Sequence, residues 1–563
     1  MATAVRPEAP PAAAGSPSPP RTHLRASRWW TVAAAAVVAL VLALPLAGAF
    51  RAPGAPMEEG KLLAGGERVL VGKVPHADFE HLYGPADVWM MAGAMAVLGH
   101  SVEAGRWLGL AYTVGLVAGV FALGRRAGPV AAAGAAVVCG LFLAPFGVHA
   151  YSWTAGLALV LWGLVLCLRC LPSGAGHHQA VRGRRPAVVA GVLLGLALVY
   201  RADLVLAALG VLAATAFGMH PAVRRRLAIG LAVGLSPYLV HLALAGPRPV
   251  IEWMVVTPLD RLRGGRSLPV PPPAGHLTAW FDLSAPVPSP SRVFPDTPLV
   301  TQFRLLFWLT VLAVVVCVGA AVVGRLRRDP VLVAIGALAL ALTPQMLQRA
   351  DVTHVRFVAC VVVALAPVAL VAAVGLLDRR LPVALAGAEA VALLLVGLLI
   401  GAPQYVARLN VEQARRGLGR AEVASVGNRG RSFPVRSPDV VPDTQAMIDR
   451  VDEVAPAGGR LFVGPRDLTL ANYSDTYLYF LFPQLTPASF YLESNPGVAN
   501  RPGSGLAADI AGADVLVLSS EFDNWDEPNA STEPGPREPL DVVERDFCPA
   551  GTFAVYTVLT RCQ

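Results

Sequence analysis

The sequence predicts an α-helical protein that crosses a membrane many times and ends in a small soluble α/β domain. Three observations carry this. Apolar residues make up 55% of the 563-residue chain and charged residues only 15%, with a mean hydropathy of +0.55, whereas soluble domains carry about 25% charged residues. The apolar residues gather into runs of roughly 17–25, the length of helix that crosses a hydrocarbon layer about 30 Å thick. The basic residues are nearly all arginine, since Lys61 and Lys73 are the only lysines, and they fall in short clusters after alternate runs. That pattern fixes orientation across a membrane. The net charge of +8 is therefore read as facing lipid and not nucleic acid, which would call for a basic face or stripe on a soluble domain.

The elements follow in order. Residues 1–28, rich in Pro, Ala and Ser, read as a disordered cytoplasmic tail. Run 31–50 is the first span; Leu46-Ala47-Gly48-Ala49 could pass for a signal-peptide cleavage site, but the run is too long for a signal core and is read as retained. A first outer loop, 51–105, includes a short apolar helix at 86–99 that could lie on the membrane surface. Runs 106–124, 128–147 and 150–168 alternate direction, with Arg125-Arg126 and then Arg169, Arg182, Arg184 and Arg185 at the inner ends.

The apolar stretch 187–218 is basic on both flanks, closing at Arg224-Arg225-Arg226, so an even number of crossings must join them. As one helix it would measure roughly 48 Å. Two short crossings that turn at Tyr200-Arg201-Ala202-Asp203 satisfy both facts. Run 227–245 leads to a Pro-rich second outer loop, 246–300, with Arg261, Arg263, Arg266, Trp280 and Phe281. Runs 304–324, 330–347, 357–376 and 383–402 complete about eleven spans, which puts the N-terminus inside and the C-terminus outside. Residues 29–403 are thus the membrane domain, 404–440 a linker or stalk, and 441–563 the extracytoplasmic α/β domain. In that domain a helix is expected over Thr444–Val454, and strands over Arg460–Gly464, Ala513–Ser520 and Phe553–Leu559. Its aromatic residues, among them Tyr477, Tyr479, Phe480 and Phe482, are expected chiefly as core.

Five of the seven cysteines lie in or beside apolar runs and read as packing residues; Cys167 and Cys170 form a CxxC, but no second pair accompanies it. Cys548 and Cys562 are the two in the soluble domain, on the oxidising side, and are expected to form a disulfide.

One polar stretch stands out among the runs. In Gly72–Pro85 (GKVPHADFEHLYGP), His76, Asp78, Glu80, His81 and Tyr83 crowd between Pro75 and the turn-forming Gly84-Pro85. The plain alternative is a hydrated loop. Its letters, its place after a single span, and the following helix that closes in Leu98-Gly99-His100-Ser101 and Arg106 resemble the first outer loop of GT-C glycosyltransferases. The closest resemblance is to the protein-mannosyltransferase-like and aminoarabinose-transferase-like branch. That resemblance implies a GT-C fold, a polyprenyl-phosphate-sugar donor, and a loop carboxylate acting on the acceptor, at the position of Asp78. Two further stretches are similar to family patterns: GLALVYRADLVL, with Arg201 and Asp203, and QRADVTHVRF, with Arg349, Asp351, His354 and Arg356. The resemblance implies donor contacts there; a self-contained ion pair and a knot fixing two helix ends are the structural alternatives.

The chemistry is consistent with this. P-loop, dinucleotide, HExxH and nucleophile-elbow signatures are absent from the sequence. Arginine forks can stabilise a leaving phosphate, and a carboxylate such as Asp78 can take the acceptor's proton as the bond to the anomeric carbon forms. Glu80, His81 and Tyr83 are then candidates for donor or acceptor contact. One base without a carboxylate nucleophile implies a single inverting displacement. A divalent cation could assist, with Asp78 and Glu80 as possible ligands, though no complete set of oxygen ligands is visible. The expectation is a bacterial plasma-membrane glycosyltransferase acting on a cell-envelope glycan, lipid or protein. A transporter of lipid-linked glycans would instead show inverted repeats and charges at mid-membrane, and a non-catalytic assembly protein would tolerate loss of the acidic loop.

Overall fold

A computed structural model describes residues 28–172, 184–272, 299–378, 382–470, 473–523 and 527–563. The expected N-terminal tail, Arg182, Arg379-Arg380, and the loop section with Trp280 and Phe281 lie outside them.

Among the described residues nine helices are long and apolar enough to cross a membrane. They include α1 (Arg28–Phe50), α4 (Val102–Gly124), α5 (Pro129–Leu143), α6 (Ser152–Arg169), the joined pair α9 (Pro221–Leu235) and α10 (Pro237–Ala245), α11 (Leu299–Arg327), α12 (Pro330–Gln348), α13 (Val352–Leu377) and α14 (Val383–Gly401). The stretch expected to turn at Tyr200-Arg201 does so: α7 (Arg184–Tyr200) ends, Arg201 is extended, and α8 (Val205–Thr215) runs back. Local sequence sets the helix ends. The Ser101 hydroxyl accepts from Ala104 N–H to start α4, Asp329 caps α12 ahead of Pro330, and Asp351 caps α13 by accepting from His354 N–H.

The bundle centres on α13, most of whose residues are buried. Elsewhere close approach depends on glycine. Gly191 and Gly195 of α7 face Gly230 and Gly234 of α9; a Cβ on Gly191 would meet the Leu227 carbonyl at 2.1 Å, and one on Gly230 the Val188 carbonyl at 2.1 Å. These are two facing small-xxx-small motifs, the packing device of helices in lipid. At one end of the bundle Arg126 pairs with Asp329. Arg201 and Arg349 sit at the opposite ends of α7 and α12.

Between α1 and α4 the chain forms two helices, α2 (Glu58–Leu70) and α3 (Ala86–Leu98), joined by the polar stretch. The short apolar helix was expected; α2 was not. Residues 404–440 are more than a stalk: α15 (Leu409–Gly417) packs on α1, and β1 (Ser425–Asn428) pairs antiparallel with β2 (Arg431–Pro434). After α16 (Val441–Val454) comes a five-stranded sheet of order β4-β3-β5-β7-β6, formed by β3 (Arg460–Pro465), β4 (Thr486–Pro487), β5 (Val515–Ser519), β6 (Phe547–Phe553) and β7 (Tyr556–Arg561). β3 lies parallel to β4 and β5, and β7 antiparallel to β5 and β6. The single strand expected over Phe553–Leu559 is instead a hairpin corner, turned at Ala554 in the left-handed region (φ 44°). Cys548 and Cys562 are bonded across this hairpin, 5.0 Å apart at Cα.

The soluble domain does not close its core alone. Leu62, Leu63, Phe79 and Met91 from the first loop share one apolar cluster with Met447, Val463, Tyr477, Phe480, Phe482 and Val517. The two regions are therefore one packed cap, which places residues far apart in sequence around one cavity.

Candidate functional site

A cavity of about 210 Å³ opens where the cap meets the bundle. Its lining draws on every region singled out above, and on others. From the bundle come Arg201, at the break between α7 and α8, and Arg349, Asp351 and His354, between α12 and α13. Trp153 and Tyr151 add aromatic walls. From α2 come Glu58 and Lys61, spaced i, i+3 and so on one helix face. Tyr83 and Asp87 flank the start of α3, Arg266 ends the helical segment Leu262–Arg266, and Tyr473 and Phe522 close the side of the soluble domain.

Packing holds Tyr83 in place. Gly84 N–H donates to the Tyr200 carbonyl at 3.1 Å, and a Cβ on Gly84 would strike the Val199 carbonyl at 2.0 Å. The polar stretch can thus press its Gly84-Pro85 turn against the end of α7. The Arg201 guanidinium then stacks over Tyr83 at 4.2 Å and Trp153 at 5.2 Å, while donating twice to Asp203 at 3.0 and 2.8 Å. Asp203 itself does not line the cavity.

The remaining cations lean on the soluble domain. Lys61 Nζ donates to Glu493 at 2.7 Å and lies 3.0 Å from Glu58. Arg266 reaches the other Glu493 oxygen at 3.3 Å, Asn495 at 2.5 Å and the Tyr473 hydroxyl at 2.9 Å. Arg349 is clamped by Glu527 at 2.6 and 2.9 Å, by Asp351 at 2.7 Å and by the Arg266 carbonyl at 2.7 Å. Burial alone would raise the Glu493 carboxyl, but Lys61 and Arg266 pull it down to about 2. Burial would likewise raise Asp351; His354 and Arg349 hold it well below the usual carboxylate range.

Of the nine donor, acceptor and catalytic residues expected from sequence, Tyr83, Arg201, Arg349, Asp351 and His354 line the cavity. Asp78 sits apart. Its carboxylate accepts from Val74 N–H at 2.7 Å and so closes the turn it belongs to, while its carbonyl accepts from Arg68 at 2.9 Å. Glu80 is buried beside Asn495 (3.1 Å), where burial and the nearby Glu493 raise its carboxyl to about 8. His81 donates from Nε2 to Asp87 at 2.8 Å. His76, in the left-handed region at φ 68°, is bonded to the Tyr83 carbonyl at 3.0 Å and to His241 at 2.7 Å. A carbonyl only accepts, so His76 Nε2–H donates to it and His76 Nδ1 accepts from His241 Nε2–H. Asp78 and Glu80, the pair that could have shared a cation, face different partners, and among the described residues no three metal-ligating side chains converge. Asp78 and Glu80 therefore do not hold a cation between them.

Sequence reasoning missed Glu58, Lys61, Asp87, Glu493 and Glu527. The signal for the first two was the i, i+3 pair at the start of α2. Its neighbour Glu59 shows the contrast: it points the other way, bonded twice to Arg106 at 2.9 Å and 3.1 Å from His149, and is held down to about 2 against burial by His149 and Arg106. Glu58 has the more open side chain, with 35% exposed against 4% for Glu59.

Next to the cavity runs an apolar groove of about 520 Å³ between α3, α4, α6 and α7, lined by Trp89, Met90, Tyr112, Leu159, Trp162 and Leu196 among others. Groove and cavity adjoin at two residue pairs. Ala86 and Tyr200 face the groove, and their neighbours Asp87 and Arg201 face the cavity.

No protein-family model matches the sequence, and no curated protein does. Solved structures do match. ArnT from Cupriavidus metallidurans bound to undecaprenyl phosphate is similar over 95% of this chain and 98% of its own, at 13% identity and a TM-score of 0.53. The Archaeoglobus fulgidus oligosaccharyltransferase, in complex with Zn and sulfate, is similar over 93% of this chain and 72% of its own, at 13% identity and a TM-score of 0.48. At such identity the ArnT likeness is one of fold. The architecture is the GT-C glycosyltransferase fold that the first loop led us to expect.

Proposed function

We propose that this protein is a membrane glycosyltransferase that moves a sugar from a polyprenyl-phosphate carrier to a hydroxyl of a cell-envelope glycan, lipid or protein. The observation that carries the reading is the junction of an apolar groove with a cavity rich in cations, at Ala86-Asp87 and Tyr200-Arg201. A lipid lying in the groove brings its phosphate beside Arg201, with Lys61 and Arg266 across the cavity. The fold likeness to a protein bound to undecaprenyl phosphate supports the same reading.

In this scheme the acceptor oxygen forms its bond to the anomeric carbon as the bond from that carbon to phosphate oxygen breaks. The polyprenyl phosphate leaves with the electron pair, stabilised by the cations. The acceptor proton passes to a carboxylate at the cavity wall. Glu58 is the best placed for this, because Asp351 is spent on Arg349, His354 and the α13 cap, Asp87 on His81 and the Val88 N–H, and Asp78 on its own turn. Displacement by one base without a carboxylate nucleophile inverts the anomeric centre. Arg201 contacts the phosphate directly. Arg349 acts on it through Arg266, whose carbonyl it holds. The arginine clusters at Arg125-Arg126, Arg224–Arg226 and Arg325–Arg328 support a cytoplasmic reading of that end, and with it a cavity at the outer face of a bacterial plasma membrane.

Deleting the gene and comparing envelope glycans, lipids and glycoproteins by mass spectrometry tests the proposal. Loss of one glycosyl modification, restored by the parental gene and not by a Glu58→Gln allele, is the expected result. An unchanged envelope would overturn it.

A further inference from the structure

The cavity's cations belong to the membrane domain and first loop, but two of the carboxylates that hold them, Glu493 and Glu527, come from the soluble domain. Glu493 bridges Lys61 and Arg266, one to each carboxylate oxygen, and is itself only 5% exposed. Lys61 and Arg266 lie on two different loops, so this one carboxylate fixes the distance between them. Glu80 stands next to it on the shared partner Asn495, whose amide donates to the Glu80 carboxyl and to the Glu493 backbone carbonyl. A second ionised carboxylate there would repel Glu493, and the two would compete for the same cations; a protonated Glu80 leaves Glu493 to bridge them.

Glu493 is the carboxylate that touches both of these buried cations. Lys61 also has Glu58 at 3.0 Å, but Glu58 is partly open to the cavity and screened there. Any phosphate entering between Lys61 and Arg266 meets donors already oriented and already engaged.

We infer that Glu493 is a positioning residue that holds Lys61 and Arg266 apart as a resident anion and gives way to the phosphate of the donor. The soluble domain thereby takes part in the donor site without touching the sugar. This rests on the proposed use of a phosphate-bearing donor. It makes a specific claim about direction. When the resident anion is removed, phosphate binding gains, because Lys61 keeps only the partly open Glu58, and Arg266 only the neutral Asn495 and Tyr473, until ligand arrives. The unliganded protein loses stability, because two buried cations are then short of a counter-charge. A clasp that only holds the domains together would weaken both.

The test uses the full-length protein in lipid nanodiscs, comparing the parent with Glu493→Gln and Glu493→Asp. Binding of undecaprenyl phosphate, and separately of inorganic phosphate, is measured along with the melting temperature with and without ligand. Glu493→Gln should bind undecaprenyl phosphate about tenfold more tightly, the equivalent of about 1.4 kcal/mol. It should melt lower when empty and show a larger ligand-induced rise. Glu493→Asp, which keeps the charge, should return towards the parent. Equal or weaker binding of both ligands by Glu493→Gln overturns the inference. If inorganic phosphate binding tightens while undecaprenyl phosphate binds neither protein, the resident-anion role stands and the lipid-donor reading falls.

Discussion

Two neighbouring stretches of the first loop carry ionisable residues and meet opposite fates. The turn from Gly72 to Pro85 is the more conspicuous in sequence, yet most of its polar groups are used inwardly. Asp78 closes the turn on Val74, His76 is bonded to His241, and Glu80 is buried. Only Tyr83 reaches the cavity. Helix α2 just before it is quiet in sequence, with glycines and a few charges, and presents Glu58 and Lys61. A dense polar turn pressed against lipid-facing helices must satisfy its own groups before it can serve a ligand. A helix satisfies its backbone internally and leaves its side chains available.

The sharpest way to break this contrast is to exchange the two acids' fates by mutation. Glu58→Gln should lower sugar transfer by about 10²–10⁴-fold, the usual cost of losing a positioned base, without changing the melting temperature appreciably. Asp78→Asn should leave transfer within a few-fold of the parent and act on stability instead. The reverse pattern in a reconstituted transfer assay would return the catalytic role to the turn.

The cavity cations offer a second contrast. Arg349 is committed to Glu527 and Asp351, whereas Arg201 pairs with an Asp203 that is 43% exposed. Arg349→Ala takes the arginine from the buried carboxylates of Glu527 and Asp351 and should destabilise the protein by about 3–5 kcal/mol, seen as a lowered melting temperature before any ligand is added. Arg201→Ala should cost little stability and should weaken binding of undecaprenyl phosphate. Equal effects of both on stability would remove the distinction.

The soluble half of the cap can be loosened without touching the cavity. Cys548→Ser with Cys562→Ser opens the β6–β7 hairpin, whose bond spans 14 residues, and should cost about 3 kcal/mol in the chain-entropy account. Reducing agent should lower the melting temperature of the parent and leave the double variant unmoved.

Glu80 adds a contrast that is read through pH. Its carboxyl is raised to about 8 in the folded protein against an ordinary value of 4.5. From pH 4.5 to 8 the unfolded chain has lost that proton and the folded one keeps it, so stability falls as pH rises through this window. The slope is at most about 1.4 kcal/mol per pH unit for one proton. Glu80→Gln should flatten the dependence of melting temperature on pH between 5 and 8. An unchanged slope would mean that Glu80 is ionised in the folded state.

Much of the fold was legible because membrane helices announce themselves by length and by the arginines that end them. The break at Tyr200-Arg201 followed from a helix too long for one crossing between two basic flanks. The disulfide followed from having two cysteines in the soluble domain, the side read from sequence as oxidising. Helix α2 was not legible, since EEGKLLAGGERVL lacks an apolar run and carries three glycines; it holds its place by packing Leu62 and Leu63 against the soluble domain. The paired glycines at 191, 195, 230 and 234 were readable as a packing motif and were passed over. In the site, Arg201 and Arg349 could be found because charge beside apolar runs is conspicuous. Glu493 and Glu527 could not, because acidic residues in a soluble domain are common and only the tertiary fold brings them to Lys61, Arg266 and Arg349.

The central claim is that groove and cavity together hold a polyprenyl phosphate, and a structure of the full-length protein with undecaprenyl phosphate tests it most directly. Density for the chain is expected in the groove lined by Trp89, Tyr112 and Trp162, with the phosphate between Arg201, Lys61 and Arg266 and within reach of Glu58. Phosphate density at the Asp78 turn, or a lipid that leaves the groove empty, would contradict it.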